Sequence, residues 1–274
     1  MKPNRTLVVR LLCVYALLLI PAVARAQFAA TPFADPATGE RYHVESALQF
    51  WNPEPNLKVS SESLGIIGSE IDAKSDLGIQ QKRLMELRFV LRPARKHKFR
   101  IAYLPMNYTA TNSVHRDFTF NGIRYGVNLP VKTEFKWDTW MLGYEYDFVY
   151  RDRFFAGMVL QAKLTNVQVN LQAPIGSDFV IAKAPIPNIG GIVRFYAAPN
   201  ISITGELDGA KVPESINEDY KAHYWDFDLY GTVNFNDYAG VQVGWRSIDV
   251  AYLVKKDQGT FEMKGLYFGG VVRY

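Results

Sequence analysis

The feature that most constrains this chain is a strict alternation of apolar and polar residues, repeated in stretch after stretch. In Tyr224 to Tyr230, Trp225, Phe227 and Leu229 fall on one side and Tyr224, Asp226, Asp228 and Tyr230 on the other. From Trp140 to Phe148, Trp140, Leu142, Tyr144, Tyr146 and Phe148 oppose Met141, Gly143, Glu145 and Asp147. Asn200 to Asp208 sets Ile201, Ile203, Gly205 and Leu207 against Ser202, Thr204, Glu206 and Asp208. A period of two is the signature of an extended strand with one wet and one apolar face, and it excludes an amphipathic helix.

The breaks between these stretches come in two sizes. Tight ones fall at Pro93 to His97, Arg151 to Arg153, Ala198 to Asn200 and Asn236-Asp237; longer polar ones cover 53–80, 110–133, 172–186 and 209–222, with a shorter one at 254–258. Alternating short and long connections predict an all-β, antiparallel up-and-down barrel, with tight turns at one rim and long loops at the other. The predicted strands are 42–51, 81–92, 98–109, 134–149, 154–171, 187–197, 200–208, 223–235, 239–252 and 259–274. That is about 10 strands, with 8 or 12 also preserving the parity. Pro53 and Pro55 are expected to close the first.

Inverting inside and outside leaves such a pattern unchanged, so alternation alone does not separate a membrane barrel from a soluble periplasmic one. Strand length does: several stretches exceed the five or six residues usual in soluble sheets and reach the 9–11 needed to cross a bilayer. The apolar faces also carry Trp, Tyr and Phe near their ends, as membrane girdles do.

The chain finishes Gly265-Leu266-Tyr267-Phe268-Gly269-Gly270-Val271-Val272-Arg273-Tyr274, with Leu266, Phe268, Gly270, Val272 and Tyr274 on one face. This resembles the closing strand of bacterial outer-membrane β-barrel proteins, of the small OmpA/OmpW-like or porin type. The resemblance implies a transmembrane barrel from about Tyr42 to Tyr274, contact with membrane lipid and lipopolysaccharide, and a location in the outer membrane of a Gram-negative envelope. It also implies that Phe268, Val272 and Tyr274 form the terminal signal read by the barrel-assembly machinery.

Residues 1–26 read as a secretory signal peptide. Lys2, Arg5 and Arg10 form a positive region, Leu11 to Val23 an apolar one, and Ala24-Arg25-Ala26 a small-x-small cleavage site. The domain division is therefore a signal at 1–26 and a barrel at 27–274. Of 31 basic residues, four lie in the signal, which leaves 27 against 27 acidic ones. A neutral chain lacks the basic surplus that nucleic acid requires. The single Cys13 leaves with the signal, and with it any disulfide, thiolate chemistry or Cys-based metal site.

By parity the lumen receives the acids Glu45, Glu86, Glu145, Asp147, Glu206, Asp208, Asp226 and Asp228, and the bases Arg88, Arg92, Arg100, Lys163, Arg194, Arg246 and Arg273. Charges of both signs in a space this narrow are expected to pair, since an isolated buried charge costs several kcal/mol. The predicted network centres on Glu86, Arg88, Arg100, Glu145, Asp147, Arg194, Glu206, Asp226, Asp228 and Arg246. It favours a closed, salt-bridged barrel with a structural or interaction role, or a narrow channel for small solutes.

Some proteins of the resembled type are proteases, phospholipases or lipid-modifying enzymes that act at the outer rim, so the four histidines bear weighing. His97 falls in a tight turn, His43 opens the first strand, and His115 lies in a long loop. His223 alone is near the outer end of a strand, but period two puts it on the face opposite Asp226 and Asp228. No G-x-S-x-G, H-E-x-x-H or phosphate loop occurs. Asp72 and Asp76 offer too few oxygens for calcium. The chain thus reads as a non-enzymatic barrel without cofactor or metal, the alternatives being a rim hydrolase or a soluble periplasmic barrel.

Overall fold

The structure is a computed structural model that describes residues 37–60, 69–120, 123–174, 176–212, 220–254 and 257–274. The signal-peptide stretch lies outside the described residues. All regular structure within them is strand, thirteen in chain order. Ten build one closed barrel: β1 (Val44–Ser60), β3 (Leu84–Ala94), β4 (His97–Ser113), β7 (Pro130–Tyr150), β8 (Phe154–Ala173), β9 (Gly176–Ala198), β10 (Ile201–Val212), β11 (Tyr220–Asn234), β12 (Ala239–Val254) and β13 (Asp257–Arg273). Each pairs antiparallel with its neighbour, and β13 closes on β1 from Glu45–Arg273 to Ser60–Gln258. The short β2 (Ile71–Asp72) adds to the outer end of β1, while β5 (Phe118–Phe120) and β6 (Ile123–Tyr125) form a separate hairpin.

The outward faces carry the apolar side chains. Leu87, Phe99, Trp140, Ile203, Leu229 and Phe268 are all 45–50% exposed. A continuous apolar belt of this kind exceeds anything a water-soluble monomer displays. Hydrocarbon is its natural solvent, and closure leaves no unpaired edge within it. Short turns and the C-terminus gather at one rim, the long connections at the other.

Three expectations need correction. The stretches 110–133 and 172–186 are not mostly loop: β4 and β7 extend into the first, which also holds the β5–β6 hairpin, and β8 and β9 stay paired up to Ala173–Gly176. β10 and β11 likewise enter 209–222 as far as Val212 and from Tyr220. Secondly, β1 does not stop at Pro53 but continues to Ser60. Leu57 accepts a bond from Ala73 on the β2 side, so odd-numbered β1 residues present their backbone groups there. Beyond Trp51–Leu84 that side has no β3 partner, so Pro53 and Pro55 remove no ladder bond. Thirdly, His97 is not a free turn residue: it opens β4, bonds Tyr144 Oη at 2.6 Å and packs on Tyr146.

Above the apolar belt the wall divides. β3 begins only at Leu84, and β9–β10 pairing ends at Ile189–Gly209. Meanwhile β4–β7 pairing continues to Ser113–Pro130 and β1–β13 to Ser60–Gln258. The projecting part is therefore two sheets, β4-β7-β8-β9 and β10-β11-β12-β13-β1. Pro105, Pro185 and Pro187 stand where β4 and β9 have lost a neighbour, as Pro53 and Pro55 do on β1.

Candidate functional site: a filled lumen

Inward-facing side chains fill the barrel in three layers. At the turn-side mouth the segment before β1 folds inward. Glu40 accepts from Arg194 Nη1 at 2.6 Å and Tyr196 Oη at 2.8 Å, and Arg92 Nη1 reaches its carbonyl at 2.5 Å. Arg92 also lies 5.0 Å over the Tyr42 ring and 5.4 Å over Tyr150. Thr38 N bonds Pro199 O, Gly39 N bonds Asp237, and Asn234 Nδ2 bonds Thr38 O. Gly39 has φ +85°, and a Cβ there would collide with Arg273 and Asn234, so only glycine fits.

The middle layer is ionic. Arg246 bridges Asp226 (2.7 Å) and Glu86 (2.7 Å); Arg88 joins Glu86 (3.1 Å) to Asp228 (2.9 Å). Arg100 grips Glu206 with both guanidinium nitrogens, at 2.9 and 2.8 Å, and also approaches Glu145 at 3.4 Å. Lys98 spans Glu145 (2.5 Å) and Asp147 (2.9 Å). Lys163, fully buried, spans Asp208 (2.8 Å) and Asp226 (2.7 Å) with its ammonium 4.3 Å from the Tyr224 ring centre. Tyr267 Oη closes on Asp228 at 2.8 Å. Among the described residues this layer borders a cavity of about 70 Å³, room for a few waters.

The outer layer is apolar. Trp51, Leu104, Met106, Tyr108, Phe135, Trp137, Phe261 and Met263 point inward from the projecting strands. The connections fold down onto them: Ile71, Leu77 and Ile79 from one, Val114, Phe118, Phe120 and Tyr125 from the other, all buried. Burial of each such side chain contributes about 1.5–3 kcal/mol, so the cap is held firmly. The two connections are pinned together by Arg116, which bonds Asp76 at 3.0 and 2.6 Å and Glu70 O at 2.5 Å. Burial pushes the Asp76 carboxyl up, but the Arg116 guanidinium outweighs it and holds the pKa below the usual value.

All ten residues named for the lumen network face inward and meet opposite charges. Two members escaped the sequence reading. Lys98 shares the parity of Arg100, two positions on, so the alternation itself could have found it. Glu40 precedes the first strand, and nothing local marks it as a lumen residue.

His223 does not meet Asp226, which is held by Lys163 and Arg246; its Nε2 lies 3.5 Å from Asp249 of the adjacent strand, both half-exposed. Among the described residues no group of three metal-ligating side chains converges. At the end of β13, Phe268, Val272 and Tyr274 are exposed on the outward face.

This architecture, a closed antiparallel barrel with an apolar outer belt, is that of the bacterial outer-membrane β-barrels. No protein-family model and no curated protein sequence matches it. Among solved structures 47 chains match. The outer-membrane protease OmpT of Escherichia coli is 8% identical, with TM-score 0.56 over 90% of this chain and 99% of that one. Ail, the attachment invasion locus protein of Yersinia pestis, is 9% identical (85% and 99% covered, TM-score 0.37). The toluene transporter TodX of Pseudomonas putida is 7% identical (88% and 92% covered, TM-score 0.36). The first of these shares the fold; no specific member of the class is identified.

Proposed function

We propose that the protein is a closed, non-enzymatic outer-membrane barrel whose role is structural or interactive, exercised through the two sheets and connections that project beyond the membrane. The observation that carries this reading is the lumen itself, occupied by the N-terminal segment, the ion pairs and the apolar cap. A channel selective for charge would show one sign and an unpaired surface; here the acids and bases neutralise one another. On this reading residues 1–26 are the export signal, removed before assembly, and Phe268, Val272 and Tyr274 are read by the assembly machinery.

A rim hydrolase would need several catalytic groups converging at the outer mouth. Among the described residues His223 and Asp249 supply a single exposed contact at that mouth, and the lumen carboxylates are committed to cations. Single-channel recording on the protein purified from outer membranes into a planar bilayer tests the proposal. A folded barrel, verified by a heat-dependent shift on SDS gels, is expected to stay silent. Steady conductance would overturn the closed reading and make solute passage the function.

A further inference from the structure

We propose that one sector of the turn-side rim is a docking site for a carboxylate-bearing polymer, the peptide-linked wall (murein) that lies beneath an outer membrane. This deepens the structural half of the role proposed above and rests on it. Five cations gather in that sector: Arg41 ahead of β1, Arg95 and Lys96 in the β3–β4 turn, and Arg151 and Arg153 in the β7–β8 turn. The four arginines are exposed and Lys96 is partly so. The two turns are neighbours, since β4 pairs with β7 from His97–Tyr146 onward and Asp147 N bonds Lys96 O at 2.9 Å. The turns on the far side, 199–200 and 235–238, hold no cation.

Two observations set this cluster apart from ordinary surface charge. Among the described residues none of the five has an ion-pair partner, whereas exposed cations of the projecting part do, as in Lys58 with Glu70, Lys74 with Glu54 and Arg124 with Asp117. The acidic side chains of this rim do not balance it. Asp152 stands alone between two of the arginines, and Asp237 accepts from Gly39 N. The second observation is the buried Arg92 beneath, which ties the three segments together. It bonds Glu40 O at 2.5 Å, Arg95 O at 2.8 Å and Tyr150 Oη at 3.1 Å, and each of these groups belongs to or adjoins a residue of the cluster. Like charges are thus held on a fixed frame, where an arriving anion relieves their repulsion without ordering anything first.

The placement also selects the partner. Arg41 lies between the buried Glu40 and Tyr42, in the segment that fills the mouth. It therefore stands over the lumen, inside the ring of strands, where bilayer lipid does not reach. The rings of Tyr42 and Tyr150 lie under Arg92, so the cluster lacks the exposed aromatic anchor that a protein partner uses. A flexible chain of carboxylates needs only the charge, and each guanidinium takes a carboxylate through paired hydrogen bonds.

Co-sedimentation of the barrel, purified from outer membranes in neutral detergent, with isolated wall sacculi tests this. The barrel should pellet with them at low ionic strength and stay in solution at high ionic strength. Sacculi whose carboxylates have been converted to amides should bind about tenfold more weakly. The triple variant Arg95→Gln, Arg151→Gln, Arg153→Gln should lose as much on untreated sacculi, the sum of three exposed ion contacts. Lys264→Gln, at the outer end, should bind as the parent does. No pelleting, equal binding to amidated sacculi or an unaffected triple variant would overturn the proposal. So would release by phosphatidylglycerol vesicles at matched charge, which makes the rim a headgroup site, or loss of binding once the sacculi are stripped of bound protein, which makes the partner an acidic protein. The substituted side chains lie in turns, and the heat-dependent gel shift verifies each fold. Because pelleting does not depend on conductance, a barrel that conducts yet pellets overturns the closed reading and leaves the wall site standing.

Discussion

Lys163 shows at the level of one residue what filling a barrel with charge entails. Its ammonium is fully buried between Asp208 and Asp226, over the face of Tyr224. Removing one partner of a buried network leaves the others desolvated and uncompensated, at a cost of about 3–5 kcal/mol. Lys163→Met should therefore lower the unfolding free energy of the refolded barrel, read from urea titration, by that order, whereas Lys264→Met, at an exposed pair with Glu262, should change it by under about 1 kcal/mol. Glu40 makes a pH prediction. Burial alone would raise its carboxyl, but Arg194 and Arg92 bring it from 4.5 down to about 2. A folded-state pKa below the unfolded one contributes stability that is complete above 4.5 and lost as pH falls towards 2. Hydrogen exchange at Thr38 and Gly39 should be slow at pH 6 and accelerate across that window. In Glu40→Gln it should be faster at pH 6 and lack the step.

At the scale of the strand, the alternation made the ten spanning elements legible, because period two survives wherever one face meets lipid and the other a packed lumen. It lost sight of the outer ends. There β4, β7, β8 and β9 leave the membrane, both faces change environment, and runs such as Thr109 to Ser113 read as polar loop while remaining paired with β7. The prolines misled for a related reason. They forbid a ladder bond only on the side their nitrogen faces, and which side has lost its neighbour is a tertiary fact. Pro53→Val should accordingly change stability by no more than about 0.5 kcal/mol. Leu48→Pro, which removes an N–H directed at β13, should abolish the heat-resistant band on SDS gels.

At the scale of the whole molecule, the ion-pair layer could be inferred from sequence as a set of inward residues, but not as a set of partners. Arg88 with Asp228 and Arg100 with Glu206 join strands far apart in the chain across the lumen; only closure brings them together. The apolar cap had no sequence signal at all, since its residues sit in connections with no period. Because the cap and the ionic layer block the lumen independently, replacing residues 116–125 with a Gly-Ser linker should leave bilayer recordings silent while loosening the cap, read as faster exchange at Ile79 and Val114.

The tucked N-terminal segment has a temporal consequence. Its partners come from β3, β9, β11 and the turns at Pro199 and Asp237, all made after it, and a collision partner of Gly39, Arg273, is the penultimate residue of the chain. This segment is thus made before every strand that holds it and acquires its binding place only when the circle of strands is complete. A half-built barrel must carry the Thr38–Glu40 segment loose and a finished one hold it locked, so protease access to these residues would time the moment of closure.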